Sequence, residues 1–258
     1  RNTGFWGIGV QEGTQYRLSL WVRAEAGKPG KLTASLRSKD GTLLGSSEVK
    51  GRVKSKWRHL EAVITAEGSD PQAEFVLTAE KPCTMVLDVV SLFPPTFKDR
   101  PNGCRRDLAE MLLAMRPAFV RFPGGCVVEG NIKPENAWHW ERTVGPIERR
   151  PGHMNANWGY PSTDGLGFHE YLQLCEDLGA KPLYVVNVGI WHGGCTPIDS
   201  LQGWIDECLA ALEYANGPVT SRYGKMRAAN EHPEPFGIAY VEIGNENYNF
   251  HLQDNSDQ

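Results

Sequence analysis

The sequence has no C-x-x-C pair. Its six cysteines (Cys83, Cys104, Cys126, Cys175, Cys195 and Cys208) lie far apart, which argues against a structural zinc site and against a disulfide-dense scaffold. Cys175 and Cys208 fall on apolar faces of predicted helices and read as buried free thiols. No apolar run approaches the ~18–20 residues of a membrane span. Basic excess is missing too: 27 Lys and Arg stand against 31 Asp and Glu, a net charge of −4. A nucleic-acid backbone or an anionic membrane surface is therefore not the expected partner. There is no P-loop, no complete G-x-G-x-x-G and no H-E-x-x-H, so nucleotide and zinc-protease chemistries have no motif support. Neither an initiator Met nor a signal peptide opens the chain; Arg1-Asn2-Thr3 has the character of mid-strand sequence, as a segment of a longer protein would. What is present, 40% hydrophobic and 22% charged residues over 258 positions, fits a globular protein of one large or two ordinary domains.

The first ~92 residues alternate with a period of two. Tyr16, Leu18, Leu20 and Val22 face one way, Arg17, Ser19, Trp21 and Arg23 the other. The pattern returns at Leu32-Ala34-Leu36, Leu60-Ala62-Ile64, Phe75-Leu77-Ala79 and Met85-Leu87-Val89, with Gly, Pro and Asp clusters between. Even spacing without a helical period predicts an antiparallel β-sandwich. After Pro94-Pro95 the period changes. Leu108, Met111, Leu112 and Met115 form one helical stripe, and Phe168, Tyr171, Leu172, Cys175 and Leu178, closed by Gly179, form another. Leu201, Trp204, Ile205, Cys208, Leu209 and Leu212 make a third, with Asp199 or Ser200 as N-cap and Gly217 past its end. Between them run apolar strands at 118–122, 183–188 and 238–243. Buried strands alternating with amphipathic helices predict right-handed βαβ units on a parallel sheet. Two domains are expected, 1–93 and 94–258, with the boundary in the stretch from Leu92 to Pro101.

Each of the three later strands ends in a polar or glycine-rich cluster: Arg121-Phe122-Pro123-Gly124-Gly125-Cys126, Asn187-Val188-Gly189 and Gly244-Asn245-Glu246-Asn247. In a β/α barrel, catalytic groups sit at the C-terminal strand ends. A carboxylic acid just past a strand, beside an amide able to bond a sugar hydroxyl, is what glycoside hydrolysis needs, together with a second carboxylate on the opposite side. Asn-Glu alone occurs by chance in solvated loops. Preceded by a buried strand and matched by two equivalent clusters, it becomes a functional signal.

These residues carry a resemblance. The run Arg121-Phe122-Pro123-Gly124-Gly125-Cys126-Val127-Val128-Glu129-Gly130, the stretch Trp158-Gly159-Tyr160 with Thr163-Asp164-Gly165-Leu166-Gly167, the segment from Glu170 to Glu176, and Val241-Glu242-Ile243-Gly244-Asn245-Glu246 resemble the family 51 glycoside hydrolases, the α-L-arabinofuranosidases. The segment from Ser91 to Gly103 is similar to the subgroup with an inserted carbohydrate-binding-type sandwich. The resemblance is strong over about 90–247 and weak over the sandwich. It implies a multidomain chain: an N-terminal antiparallel β-sandwich, then part of a clan A (β/α)8 TIM barrel, about strands two to four. It implies a retaining mechanism in which Glu246 is the acid/base and Asn245 meets the sugar 2-hydroxyl. Arg121 would lie near the nucleophile, Cys126 beside the sugar, and Trp158 as a wall of the pocket; Asn187 would complete the substrate-binding set.

The family's nucleophile, a Glu on the seventh strand, is expected beyond Gln258, and the first strand before Arg1. The chain alone is then an inactive fragment. Glu129, Glu141, Glu170 and Glu242 are its other barrel carboxylates, and Glu242, two residues before Gly244, is placed to line the barrel. No cofactor and no metal are implied; the seven histidines (His59, His139, His153, His169, His192, His232, His251) show no metal-ligand spacing, although His192 follows the third strand and could line the cleft. The expected partner is an arabinose-containing plant polysaccharide or oligosaccharide, with room for a homo-oligomer of the full-length enzyme. An extracellular or periplasmic parent follows from such substrates. Among the sandwich aromatics Phe5, Trp6, Tyr16, Trp21, Trp57 and Phe75, Trp21 points away from the core and either stacks on sugar or packs against the barrel domain. The rival from another class is a non-catalytic carbohydrate-binding protein with a degenerate barrel, against which the intact Gly244-Asn245-Glu246 counts.

Overall fold

A computed structural model of the chain describes residues 1–4 and 6–247, so Phe5 and His251 lie outside the described residues. The chain divides into two compact units, Arg1–Pro101 and the remainder from Asn102. No helix among the described residues is long and apolar enough to cross a membrane.

The first unit is built of seven antiparallel strands: β1 (Ile8–Val10), β2 (Gln15–Gly27), β3 (Leu32–Arg37), β4 (Leu43–Glu48), β5 (Arg58–Thr65), β6 (Asp70–Ala79) and β7 (Cys83–Phe93). They form two sheets, β1-β6-β3-β4 and β5-β2-β7. Register explains the shared core. Tyr16 faces Ile64, Leu18 faces Ala62 and Leu20 faces Leu60 across β2 and β5, and all six are buried. Leu32, Ala34, Leu36 and Phe75 from the other sheet join them in one cluster, as a sandwich requires. The alternation fails in β7. A bulge between the Ser19–Ser91 and Trp21–Asp88 pairs, with Val89 at φ 44°, turns the strand, and Leu87, expected inside, is exposed.

The second unit opens with α1 (Arg106–Met115), then β8 (Phe119–Phe122), the single turn α2 (Cys126–Glu129) and a hairpin of β9 (His153–Asn155) and β10 (Tyr160–Ser162). α3 (Phe168–Leu178) leads to β11 (Lys181–Val186), a second hairpin of β12 (Ile190–Trp191) and β13 (Gly194–Cys195), α4 (Gln202–Asn216), α5 (Arg222–Ala229) and β14 (Tyr240–Ile243). β8, β11 and β14 make a parallel sheet with β11 central. One sheet face presents Phe122, Tyr184 and Val186 to an aromatic core with Trp140, Phe168 and Tyr214, whose rings lie 4.9–6.0 Å from one another where Phe168 meets Tyr184, Trp140, Tyr214 and Phe122. Leu183 pairs with Arg121 and Val185 with Glu242, so the period of two puts Arg121 and Glu242 together on the opposite face.

Three expectations need correction. The α1 stripe is exposed, with Met111 at 66% and Met115 at 75%, and the helix buries Ala109 instead. α4 buries Ala210, Ala211, Tyr214 and Ala215, leaving Ile205 and Leu209 outside, because small residues let the helix approach the sheet closely. Asp199 and Ser200 lie in a preceding 3₁₀ turn; the position before α4 is Leu201, with no side-chain cap. α5 has too polar a sequence to announce itself. It is capped by Ser221, whose hydroxyl accepts from the Gly224 N–H at 3.1 Å, and held by the buried Arg227, which donates to the carbonyls of Tyr214, His232 and Pro233.

Of the sandwich aromatics, Tyr16 and Phe75 are core and cannot reach a sugar, whereas Trp6 and Trp57 are exposed. Trp21 is half-buried and lies tilted against His59, ring centres 5.3 Å apart.

Candidate active site

The ends of β8 and β14 are tied by one side chain. Arg121 donates to both oxygens of Glu242 at 2.6 Å and to Asn245 Oδ1 at 2.8 Å. The fork geometry of guanidinium suits such paired acceptance. Glu242 is held below the usual carboxylate range by these bonds, and Arg121 is raised by the same partner. Gly124 makes room: a Cβ there would stand 2.5 Å from an Arg121 guanidinium nitrogen, at a φ of +69° that side chains rarely adopt.

Asn245 is buried and gripped from its other end. Its Nδ2 donates to Glu129 Oε2 at 3.3 Å, and His192 Nε2 lies 3.1 Å from the same oxygen. Burial pushes the Glu129 carboxyl up, the negative charge of Glu246 adds to that, and the bonds from His192 and Asn245 oppose it. Cys126, one helical turn before Glu129, has its thiol raised by burial first, then by the charges of Glu129 and Glu246. Glu246 is exposed, three residues past the end of β14, with φ 46°, a left-handed conformation that a non-glycine residue holds only when its surroundings impose it. Its charge is felt by Arg121, Cys126 and Glu129 alike.

Trp158 sits between β9 and β10, 58% exposed, its N–H donating to Asn155 Oδ1. Asn157 anchors this turn to α2 by donating to the Cys126 carbonyl at 3.0 Å. Asn187, expected beside substrate, is engaged otherwise. Its Nδ2 donates to the Val128 carbonyl and its Oδ1 accepts from the N–H groups of Gly189 and Ile190, so it clamps the loop after β11 onto α2. Glu170 is also structural: it forms a buried ion pair with Arg150 at 2.6 Å and accepts from the Gly167 N–H at 2.9 Å. Only glycine fits at 167, where a Cβ would meet the Thr143 carbonyl oxygen at 1.9 Å. The sequence grouped Glu129 with the unassigned carboxylates; the signal for its place was its i, i+3 spacing from Cys126.

A cluster of this kind, at the C-terminal ends of parallel strands, offers an exposed carboxyl beside an anchored amide. The sequence model of the alpha-L-arabinofuranosidase 1 domain matches residues 111–255, and that of a carbohydrate binding domain matches residues 4–84. Alpha-L-arabinofuranosidase 1 of Arabidopsis thaliana is 39% identical over 248 residues, which is 95% of this chain and 36% of that protein. The extracellular exo-alpha-L-arabinofuranosidase of Streptomyces chartreusis is 40% identical over 256 residues, 93% of this chain and 30% of that protein. The solved structure of an arabinose-bound family 51 α-L-arabinofuranosidase superposes with a TM-score of 0.90 at 38% identity, covering 96% of this chain and 41% of that one. The chain thus spans 30–41% of the length of these relatives. With a family domain matched over more than half its length, the chain belongs to the family 51 glycoside hydrolases, the α-L-arabinofuranosidases.

Proposed function

We propose that the protein carrying this chain is a retaining α-L-arabinofuranosidase that releases terminal arabinofuranose from arabinan or arabinoxylan side chains, with Glu246 as acid/base. The observation that carries this reading is the pairing of an exposed Glu246 with an Asn245 fixed from both sides, by Arg121 of β8 and Glu129 of α2. In the first step Glu246 protonates the leaving glycosidic oxygen while a carboxylate on the opposite side of the ring attacks the anomeric carbon. In the second, Glu246 takes a proton from the water that hydrolyses the glycosyl-enzyme. Asn245 uses the remaining proton and lone pair of its amide on the sugar 2-hydroxyl, Cys126 lies beside the ring, and Trp158 walls the pocket. Arg121 orders Asn245 and Glu242.

The opposing nucleophile comes from a part of the relatives' length that this chain does not span. Glu242 is engaged by Arg121 and Glu129 is buried, so neither is assigned that role, and residues 1–258 alone are expected not to turn over glycosides. The sandwich, matched as a carbohydrate binding domain, would hold the polymer, and polysaccharide substrates imply an extracellular parent, as the name of the Streptomyces relative states for that enzyme.

The test is Glu246→Ala in the full-length protein. Hydrolysis of arabinofuranosides with poor leaving groups should fall by about 10²–10⁴-fold, and that of activated aryl arabinofuranosides far less. Azide should restore the second step, since it attacks without a base. Equal losses for both leaving-group classes, with no azide rescue, would overturn the assignment.

A further inference from the structure

Cys126 and Glu129 come from one stretch of sequence and His192 from another, yet one donor atom of each lies within 4.8 Å of the other two. The fold fixes all three. Cys126 and Glu129 are one turn apart on α2, while His192 occupies the turn of the β12–β13 hairpin. That turn is stitched to the residues after α2: the Gly193 N–H donates to the Asn131 carbonyl at 2.8 Å and the His192 N–H to the Gly130 carbonyl at 3.5 Å. His192 Nε2 already lies 3.1 Å from Glu129 Oε2. A second observation is independent of this grouping. Glu129 is 2% exposed, and its other oxygen, Oε1, is buried with no hydrogen-bond partner among the described residues. A buried carboxylate oxygen without a donor is costly, and a cation is one group that relieves it.

The geometry points to a binding site for a divalent cation of the Zn²⁺ class, held by Cys126 Sγ, a Glu129 carboxylate oxygen and the His192 imidazole. Sulfur, nitrogen and oxygen together are the donor set of Zn²⁺ and its borderline-soft neighbours, whereas Mg²⁺ and Ca²⁺ take oxygen alone. Around Zn²⁺, bond lengths of ~2.0–2.3 Å in a tetrahedron separate the donors by about 3.6 Å. The observed separations, 3.1 Å from His192 Nε2 to Glu129 Oε2 and no more than 4.8 Å across the set, bracket that value. Three protein ligands leave a fourth position open. Asn245 donates to the Glu129 carboxylate from outside the set, and such hydrogen bonds hold a metal ligand in its orientation. The site shares Cys126 and Glu129 with the proposed sugar-binding set, and its test is separable from the glycosidase reading because cation binding is read by absorbance rather than by turnover.

The experiment is a Co²⁺ titration of the full-length protein, with Co²⁺ as the spectroscopic surrogate of Zn²⁺. The expected result is one Co²⁺ per chain with a thiolate-to-metal charge-transfer band, displaced by Zn²⁺. Cys126→Ser should abolish the band, and His192→Ala should weaken binding by about 10-fold or more. Cys195→Ser should keep the band, which excludes the exposed thiol of the same hairpin as its source. Absence of the band, its persistence in Cys126→Ser, or its loss in Cys195→Ser would overturn the site. Should Cys126→Ser fail to fold by near-ultraviolet circular dichroism, His192→Ala decides: unchanged Co²⁺ affinity in that variant refutes the proposal.

Discussion

Arg121 ties two strand ends with three donated hydrogen bonds, and a double-mutant cycle with Glu242 measures what that tie contributes. Both side chains are about a third exposed, at 35% and 32%. A hydrogen bond to a charged group contributes ~1.5–3 kcal/mol when well enclosed. Partial exposure brings the Arg121–Glu242 coupling down to about 1–2 kcal/mol. Arg121→Met leaves Glu242 unpaired in the sheet face and frees Asn245 Oδ1; Glu242→Leu leaves the guanidinium bonded to Asn245 alone. Each single change should therefore cost more than half of what the pair together costs, and the double variant should be more stable than additivity predicts. Urea unfolding of the four full-length proteins, followed through the aromatic core by near-ultraviolet circular dichroism, reads the coupling. Activity supplies the second readout. Arg121→Met should lower kcat by about 10²-fold, because Asn245 loses one of its two anchors and a displacement near 1 Å is enough for such a loss. Glu242→Leu, which preserves the Arg121–Asn245 bond, should lower it much less. Additivity within about 0.3 kcal/mol, or equal kcat losses in both single variants, would refute the reasoning.

The remaining predictions test other parts of the unit. Arg150→Met should destabilise by about 3–5 kcal/mol in urea, since it leaves Glu170 charged and buried and strips donors from the Gly145, Asp164 and Gly165 carbonyls. Because the folded-state value of Glu242 is depressed, its contribution is present above its ordinary value of 4.5 and is lost as pH falls through the lower folded value. Glu242→Gln should accordingly flatten the acid limb of the stability profile in that window. Gly124→Ala should reproduce the activity loss of Arg121→Met without touching a charged residue, as its methyl group displaces the guanidinium. Burial holds the Cys175 thiol up at about 12, so iodoacetamide at neutral pH should label the exposed Cys195 and leave Cys175 unmodified until the protein unfolds.

The sandwich was legible because one face of each strand is buried, so alternation in the sequence maps directly onto alternation in space. Tyr16 to Val22 and Leu60 to Ile64 show it, and Leu87 marks its limit: a bulge adds a residue to β7, and no periodicity in the sequence announces where that happens. The parallel strands were legible as apolar runs, and the cluster after each one was legible as polar interruption. Helix faces were less so. Apolar stripes identify a helix but not which face meets the sheet, and in α4 the alanines, not the larger residues, are innermost. The site divides the same way. Arg121, Asn245 and Glu246 lie at strand ends, where sequence and topology agree. Asn187 has the right address and a different task, since a short amide beside a loop can be consumed by backbone groups of its own neighbourhood. Glu129 and His192 are 63 residues apart in sequence, and only the stitching of the β12–β13 turn to the end of α2 brings them together.

That chain of contacts also explains why Asn245 is rigid while Glu246, its neighbour, is open. From Glu242 through Arg121, Asn245 and Glu129 to His192, each side chain bonds the next, so the amide is fixed from one side by Arg121 of β8 and from the other by Glu129 of α2. An acid/base must do the opposite: it has to reach a leaving oxygen in one step and a water in the next, and a side chain bound on every side could do neither. The left-handed backbone at Glu246 turns its carboxyl out of the network that immobilises the residue before it. The division predicts a contrast between the two positions. Glu129→Gln, which keeps the shape and one acceptor but loses the charge, should loosen Asn245 and raise KM for arabinofuranosides. It should leave the difference between good and poor leaving groups as it is in the unmodified protein, because the proposed mechanism assigns proton transfer to Glu246. If Glu129→Gln instead slows poor leaving groups selectively, as Glu246→Ala is expected to do, then Glu129 takes part in proton transfer and the separation between anchor and acid fails.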